Sequence, residues 1–283
     1  MRLVTWNTQS CRGIDGRVSP ERIVKHARAL GDFDVLCLQE IASHYPAVGA
    51  PGDQLQELAA LLPGFTLLFG AAVEEFDLQG DGSRRRFGNL VATRLPVAEV
   101  RHHALPYPAD PGVESMPRMC TVVTLVDPEL GALRVMTTHL EFYSRPQRMA
   151  QARAVRELQI EYCAQADGPP KPGDEGSPDA GKLHTRQALL CGDFNLQPQD
   201  AEHAAIIEPF AGGAWWDAWP LLHGEAPRPP TFSVHEVKYT GHPVTFDFVF
   251  VSDELRPRLR SFVVDTGTQA SDHQPMLVEL GAG

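Results

Sequence analysis

Positive charge is in short supply in this sequence. Of its 283 residues, 25 are Lys or Arg against 36 Asp or Glu, giving a formal net charge of −11. Such a balance excludes holding nucleic acid by bulk electrostatics and leaves only a local basic groove for that purpose. Paired cysteine spacings are missing as well. Cys11, Cys37, Cys120, Cys163 and Cys191 are scattered, odd in number and form no C-x-x-C, which argues against zinc and for a hard cation with oxygen ligands if a metal is bound. Cys37 and Cys191 lie inside apolar runs and read as small buried hydrophobes. No apolar run is long enough to span a bilayer, and the first residues lack a basic segment followed by an apolar one. The expectation is a cytoplasmic, monomeric protein without stable membrane insertion. Internal repeats are absent, and low complexity is confined to 165–182, an expected flexible surface loop within a single domain spanning 1–283.

What is present is a repeated pattern. The apolar run Leu189-Leu190-Cys191 stops at Gly192 and delivers Asp193 and, two residues on, Asn195. In an extended chain these two share a face, while a strand ending in an Asp/Asn turn is the plainer reading. Other apolar runs end in the same way, at Asn7, at Gln39-Glu40, at His139, and beside Asp247 and Asp272-His273. Five strand-like segments with Asn, Glu, His or Asp near an end are poorly explained as independent turns, and in an α/β sandwich such ends converge.

The ordered set Trp6-Asn7, Gln39-Glu40, Thr138-His139-Leu140, Gly192-Asp193-Phe194-Asn195, Asp247 before Phe-Val-Phe, and Ser271-Asp272-His273 resembles the endonuclease/exonuclease/phosphatase superfamily. Its members include deoxyribonuclease I, abasic-site exonucleases, neutral sphingomyelinases, inositol polyphosphate 5-phosphatases and 5′-tyrosyl-DNA phosphodiesterases. The resemblance implies a four-layer α/β/β/α sandwich with two packed mixed β-sheets, and a Mg²⁺- or Mn²⁺-dependent phosphodiesterase, with a nuclease on DNA or RNA as the first choice. A phosphatase or phospholipase C-type enzyme on lipid head groups or soluble phosphomonoesters is the alternative, which the acidic balance favours. A noncatalytic module on this scaffold is expected to have lost a metal or base residue, and none is lost.

On that resemblance, Glu40 with Asn7 and Asp272 is expected to hold the metal, and His139, Asp193, Asn195, Asp247 and His273 to be catalytic. His273 is the first choice for general base, oriented by Asp247; Asp193 is the alternative, and the sequence does not decide between them. His139 stands where abasic-site enzymes have Tyr, which counts against that branch. Arg118 and Arg145 are expected to meet substrate phosphate, Arg145 because it opens a helix at Pro146.

Local signals place these groups. Ser19-Pro20-Glu21 predicts a helix start and Gly31 its end, so a strand-helix-strand unit joins Asn7 to Glu40. Asp53 followed by Gln56 predicts a second helix. Strands are expected at about 33–38, 65–69, 86–93, 97–102, 120–126 and 133–139, with a flexible tip at 79–83. Arg84-Arg85-Arg86 is read either as a solvated run or as a phosphate attractor. Met149, Val155, Leu158 and Tyr162 are expected to face the core from the helix after Pro146. Trp215, Trp216 and Trp219 read as packing in preference to base stacking. The segments 220–230 and 235–239 are candidates for substrate selection.

Overall fold

Alternation along the strands decides the architecture. In β2 (Val35–Tyr45), Val35 and Cys37 enter one apolar cluster while Leu36 and Leu38 enter another, as in a strand covered on both faces. In β9 (Ala188–Asp193) and β11 (Asp247–Ser252), Leu189, Cys191, Val249 and Val251 join the cluster of Val35 and Cys37, whereas Leu190, Phe248 and Phe250 form a third. One apolar layer thus lies between two sheets, and one lies on the outer face of each. The computed structural model describes residues 1–80 and 82–281.

The first sheet has seven strands. Along it run β12 (Leu259–Val264), β13 (Met276–Leu280), β1 (Arg2–Asn7), β2, β5 (Arg84–Thr93) and β4 (Thr66–Phe76), with β3 (Ala50–Asp53) paired to β2. The second has six, in the order β10 (Trp215–Asp217), β11, β9, β8 (Gly131–His139), β7 (Met119–Asp127) and β6 (Val97–Ala104). Helices α1 (Pro20–Leu30) and α2 (Gln54–Leu61) cover the outer face of the first sheet through Ile23, Ala27 and Leu58. Helices α3 (Arg145–Asp167) and α4 (Ala201–Ile207) cover the second through Val155, Tyr162 and Ile206. A short helix, α5 (Ala218–His223), follows β10. This is the expected four-layer sandwich.

Two parallel pairings matter most. β1 pairs with β2 and β8 with β9, each through a helical crossover. Their registers set Asn7 against Gln39 and His139 against Asp193, so polar strand ends meet at one rim. The α1 start is as expected, with Ser19 Oγ accepting from the Arg22 N–H and Pro20 in the first turn. Asp53 caps α2 through the amides of Leu55 and Gln56.

Three expectations need correction. β2 and β4 run well beyond the expected strands, because β4 and β5 form a long hairpin in which Phe76 pairs with Arg84. Of its expected flexible tip, Asp81 lies outside the described residues. The arginine run is spent inside this region: Arg84 pairs with Glu74, Arg85 with Asp77 and Arg86 with Asp53. It is a paired sheet-edge cluster and not a phosphate attractor. The buried face of α3 carries Gln147, Gln151 and Gln159 beside Val155 and Tyr162, while Met149 and Leu158 are only half-buried. These glutamines donate to the carbonyls of Pro108, Pro106 and Arg186, polar groups that the irregular connections leave beneath the helix. The helix persists to Asp167 and is closed at Gly168; 168–182 contains no helix or strand. Trp215 is core, Trp216 lies under Arg256 and Trp219 stacks on His223, so the tryptophans are packing groups.

Candidate active site

The site is the polar end of the layer between the sheets. Leu3, Thr5 and Asn7 share one side of β1, and Val35, Cys37 and Gln39 one side of β2. On the second sheet the inward rows run Val135, Thr137, His139; Leu189, Cys191, Asp193; and Val251, Val249, Asp247. Gln39 Nε2 hydrogen-bonds both Thr5 and Thr137, tying the sheets together one layer below the rim. Above that layer the apolar rows end in Asn7, His139, Asp193 and Asp247. Strand pairing sets Asp193 between His139 and Asp247.

Glu40 joins them by breaking the alternation. Between Leu38 and Ile41, β2 carries one residue more than its partner β5, and Glu40 sits at φ 61°. A bulge re-aims a side chain in this way, and positive φ at a non-glycine residue is tolerated only when the surroundings enforce it. The Asn7 Nδ2 holds the result, donating to Glu40 Oε1 at 3.0 Å and to Asp193 Oδ2 at 2.8 Å.

The extended chain of β9 stops at Asp193. Its Oδ1 accepts from the Asn195 amide at 2.9 Å, and Asn195 turns to φ 51° and donates from Nδ2 to the Leu140 carbonyl. The plain Asx-turn reading is correct, and the turn itself carries Asn195 to the cavity. Gly192 is required one step earlier. At φ 134°, a Cβ there would stand 2.0 Å from the Thr138 carbonyl oxygen.

The segment before β13 is clamped from three sides. Trp6 Nε1 donates to the His273 carbonyl at 2.9 Å, Ser271 Oγ donates to the Asn7 carbonyl at 2.8 Å, and Gln9 Nε2 donates to Asp272 Oδ2 at 2.7 Å. His273 Nδ1 lies 2.8 Å from Asp247 Oδ2, and its Nε2 lies 3.5 Å from Asp193 Oδ2. Thr231 Oγ1 accepts from the backbone amides of Phe246 and Asp247 and fixes that end of β11. His139 approaches the same centre, Nε2 at 3.4 Å from Asp193 Oδ2 and Nδ1 at 3.9 Å from Glu40 Oε1.

Electrostatics separates the groups. Burial raises Glu40 above the usual carboxylate range, and neighbouring Asp272 adds to it. Burial also raises Asp272. Asp193 is pushed up to about 7 by burial and by Asp247, against the pull of His273 and the hydrogen bond from Asn7. For His273, burial acts downward but Asp247 and Asp193 outweigh it and push the imidazole up to about 10. His139 is held well below its ordinary value by burial, Arg118 and His273, and is a neutral ring. A proton in this cluster therefore rests on His273.

Glu40, His139, Asp193, Asn195, Asp272 and His273 line a cavity of about 240 Å³, completed by Gln9, Met116 and Arg118 and by the rings of Phe87, Phe142, Tyr143, Phe232 and Tyr239; Asn7 and Asp247 do not line it but bind residues that do. Arg118 is 6 % exposed; its Nε donates to Glu141 Oε2 at 3.1 Å, while its Nη1 is buried without a hydrogen-bond partner. A guanidinium group at a cavity wall is suited to an anionic oxygen.

Of the expected site residues, the structure brings together Asn7, Glu40, Arg118, His139, Asp193, Asn195, Asp247, Asp272 and His273. Arg145 is not among them. It is largely exposed and its Nε turns to Glu202 at 3.3 Å, because buried Glu202 on α4 draws the cations at the start of α3. Of the two expected selection segments, 235–239 reaches the cavity through Tyr239, whereas Leu221 lies at other cavities. Gln9, Met116, Phe232 and the Glu141 support of Arg118 had no sequence signal, since each depends on loop placement.

Comparison with known proteins agrees with this fold. No curated protein matches the chain by sequence. Among solved structures, an endonuclease/exonuclease/phosphatase from Beutenbergia cavernae is 25% identical with a TM-score of 0.71, covering 100% of this chain and 72% of that one. A mannosyl-6-phosphatase from Bacteroides thetaiotaomicron has the same fold at 19% identity and TM-score 0.68, with 99% of each chain covered. Truncated TDP2 from Caenorhabditis elegans is 19% identical with a TM-score of 0.65, covering 99% of this chain and 97% of that one. The sequence profile of the Endonuclease/Exonuclease/phosphatase family matches residues 4–273, a span that begins in β1 and closes on His273. With profile, fold and rim agreeing, the chain belongs to the endonuclease/exonuclease/phosphatase family.

Proposed function

We propose that the protein is a divalent-metal-dependent phosphodiesterase acting on nucleic acid. The observation that carries this reading is the crowding of Glu40, Asp193 and Asp272 around one cavity that Arg118 also lines, with Asp247 held on His273. Buried carboxylates raised together are groups that the protein alone leaves short of positive charge, so the donor set fits a hard cation. Glu40, with Asn7 and Asp272, would hold it. Asp193, Asp247 and His273 are also close enough to be ligands, their donor atoms lying within 4.8 Å of one another, but the 2.8 Å contact of His273 with Asp247 already engages Nδ1. A bound Mg²⁺ or Mn²⁺ supplies charge neutralisation for phosphate oxygens.

The chain's own residues do the rest. Arg118 and neutral His139 present N–H groups to nonbridging oxygens, and Asn195 fixes the mouth of β9. Asp193, ionised above about pH 7, takes the proton of the attacking water; His273, held protonated by Asp247, keeps that carboxylate charged. Hydrolysis of an oligonucleotide with Mg²⁺ or Mn²⁺, its arrest by chelator and its loss in Asp193→Ala test the reading. Full activity in that variant removes Asp193 from the reaction. A second reading, a phosphatase for small monoesters, is favoured by the small cavity and the net charge of −11. Faster release of phosphate from a sugar phosphate than cleavage of the oligonucleotide would establish it.

A further inference from the structure

Most of the cavity wall that is not charged is aromatic, and four of its rings belong to a row completed by Phe246, which lies outside the wall. Tyr143 meets Phe142 edge-on at 4.7 Å, Phe142 meets Phe246 at 6.1 Å, Phe246 stacks on Phe232 at 5.3 Å, and Phe232 stacks on Tyr239 at 6.1 Å. Phe232 also lies against His273, with ring centroids 4.4 Å apart. The row therefore passes beside the reacting centre. At its two ends it opens to solvent: Tyr143 is 54% exposed and Tyr239 49% exposed. Both of these rings line the same cavity.

We propose that this row is a stacking platform for an unpaired nucleobase adjacent to the scissile phosphate, so that the substrate is a single-stranded nucleic-acid end or a nucleotide ester and not a duplex. The inference deepens the phosphodiesterase reading and rests on it. Three features select this ligand. A cavity of about 240 Å³ is below the roughly 300–1,000 Å³ of pockets for drug-sized ligands, a size suited to one phosphate and one flat group. With net charge −11 and the Arg84–Arg86 run already paired, phosphate tracking offers little affinity, whereas stacking works for any base. An aromatic wall also suits a quaternary ammonium such as a choline head group. Here, however, the Lys238 Nζ already lies 5.1 Å from the centroid of Tyr239. That ammonium repels a second cation at the ring and does not repel a neutral base.

The test uses the full chain with Mn²⁺ and four probes: a single-stranded oligodeoxynucleotide, its duplex, the same strand with base-less terminal residues, and sphingomyelin in vesicles. The expected order has kcat/KM for the base-bearing strand at least about tenfold above the base-less strand and the duplex, the size of one stacking contact. Tyr143→Leu and Tyr239→Leu keep bulk but not the stack, and each should move the base-bearing to base-less ratio toward one. Terminal 2-aminopurine fluorescence should be quenched on binding to the wild-type protein and less so by Tyr239→Leu. Equal kcat/KM with and without bases, equal cleavage of duplex, or preference for sphingomyelin overturns the platform while leaving phosphodiester hydrolysis intact. Failure to cleave any probe overturns the phosphodiesterase reading instead, and the quenching comparison then decides the platform by itself.

Discussion

Asn7 ends a strand of one sheet, Asp193 ends a strand of the other, and the Asn7 side chain donates to the Asp193 carboxylate at 2.8 Å. The same amide group holds Glu40 at 3.0 Å. One side chain thus fixes the distance between the residue proposed to hold the cation and the residue proposed to take the proton. Asn7→Ala should lower kcat by about 10²-fold, since misplaced reacting groups cost that much. It should also lower unfolding free energy by about 1–3 kcal/mol, because buried carboxylate oxygens lose their donor. Steady-state kinetics and urea unfolding read the two effects, and an unchanged kcat would detach Asn7 from the chemistry.

Asp193, His273 and Asp247 form a hydrogen-bonded and charge-coupled set. Groups that act as a unit give non-additive losses. Asp193→Ala and His273→Ala should each reduce kcat by about 10³-fold or more, and the double variant should be no worse than the poorer single one. Multiplied losses in the double variant would mean that the two residues act independently.

The acid-base behaviour has two windows. Asp193 is pushed up to about 7 and must be ionised to accept a proton, so kcat/KM should rise with pH to about that value. For stability, the His273 folded value of about 10 lies above its ordinary 6.5. Its contribution is fully present below pH 6.5 and is lost as pH rises toward 10, because the folded state then holds a proton that the unfolded state has released. Asp193 acts lower, its raised value penalising the folded state as pH climbs from 3.8 toward 7. Melting temperatures measured in chelator should fall between pH 6.5 and 10 in the wild-type protein and stay flatter in His273→Gln. A wild-type curve flat across that window would contradict a protonated His273.

Much of this site is legible along the chain because it obeys strand parity. Asn7, His139, Asp193 and Asp247 each fall on the inward row of a strand whose apolar residues declare that row, so their convergence follows from the alternation. Glu40 is different, since strict alternation sends it outward and only the extra residue between Leu38 and Ile41 returns it. Loop residues escape altogether. Gln9, Met116 and Phe232 reach the cavity from irregular segments whose paths are set by tertiary contacts. The Arg145 expectation failed for a related reason: a helix N-terminus favours an anion in general, but here Glu202 of a neighbouring helix already answers the charge.

Gly192 is a sharp test of the rim. Its φ of 134° and the 2.0 Å approach of an added Cβ to the Thr138 carbonyl leave no room, since the neighbour is backbone. Gly192→Ala should destabilise the protein by about 3 kcal/mol through strain and overpacking. It should also lower kcat, because the strand pair that separates is the one aligning His139 with Asp193. Urea unfolding with kinetics on the folded fraction checks both, and wild-type stability would refute the packing argument.

Arg118 and Glu141 offer a way to separate binding from architecture. Both are buried, and their 3.1 Å contact uses the Arg118 Nε, while Nη1 has no hydrogen-bond partner. Removing one partner of a buried ion pair costs about 3–5 kcal/mol, so Glu141→Ala should be strongly destabilised. Arg118→Lys keeps the charge beside Glu141 but loses the planar fork that can serve the carboxylate and a phosphate oxygen together. It should melt close to the wild type and yet show kcat/KM reduced by about tenfold or more, the worth of one charge-assisted hydrogen bond of about 1.5–3 kcal/mol. If the lysine variant retains full kcat/KM, the unpartnered nitrogen does not meet the phosphate, and charge at that position is sufficient.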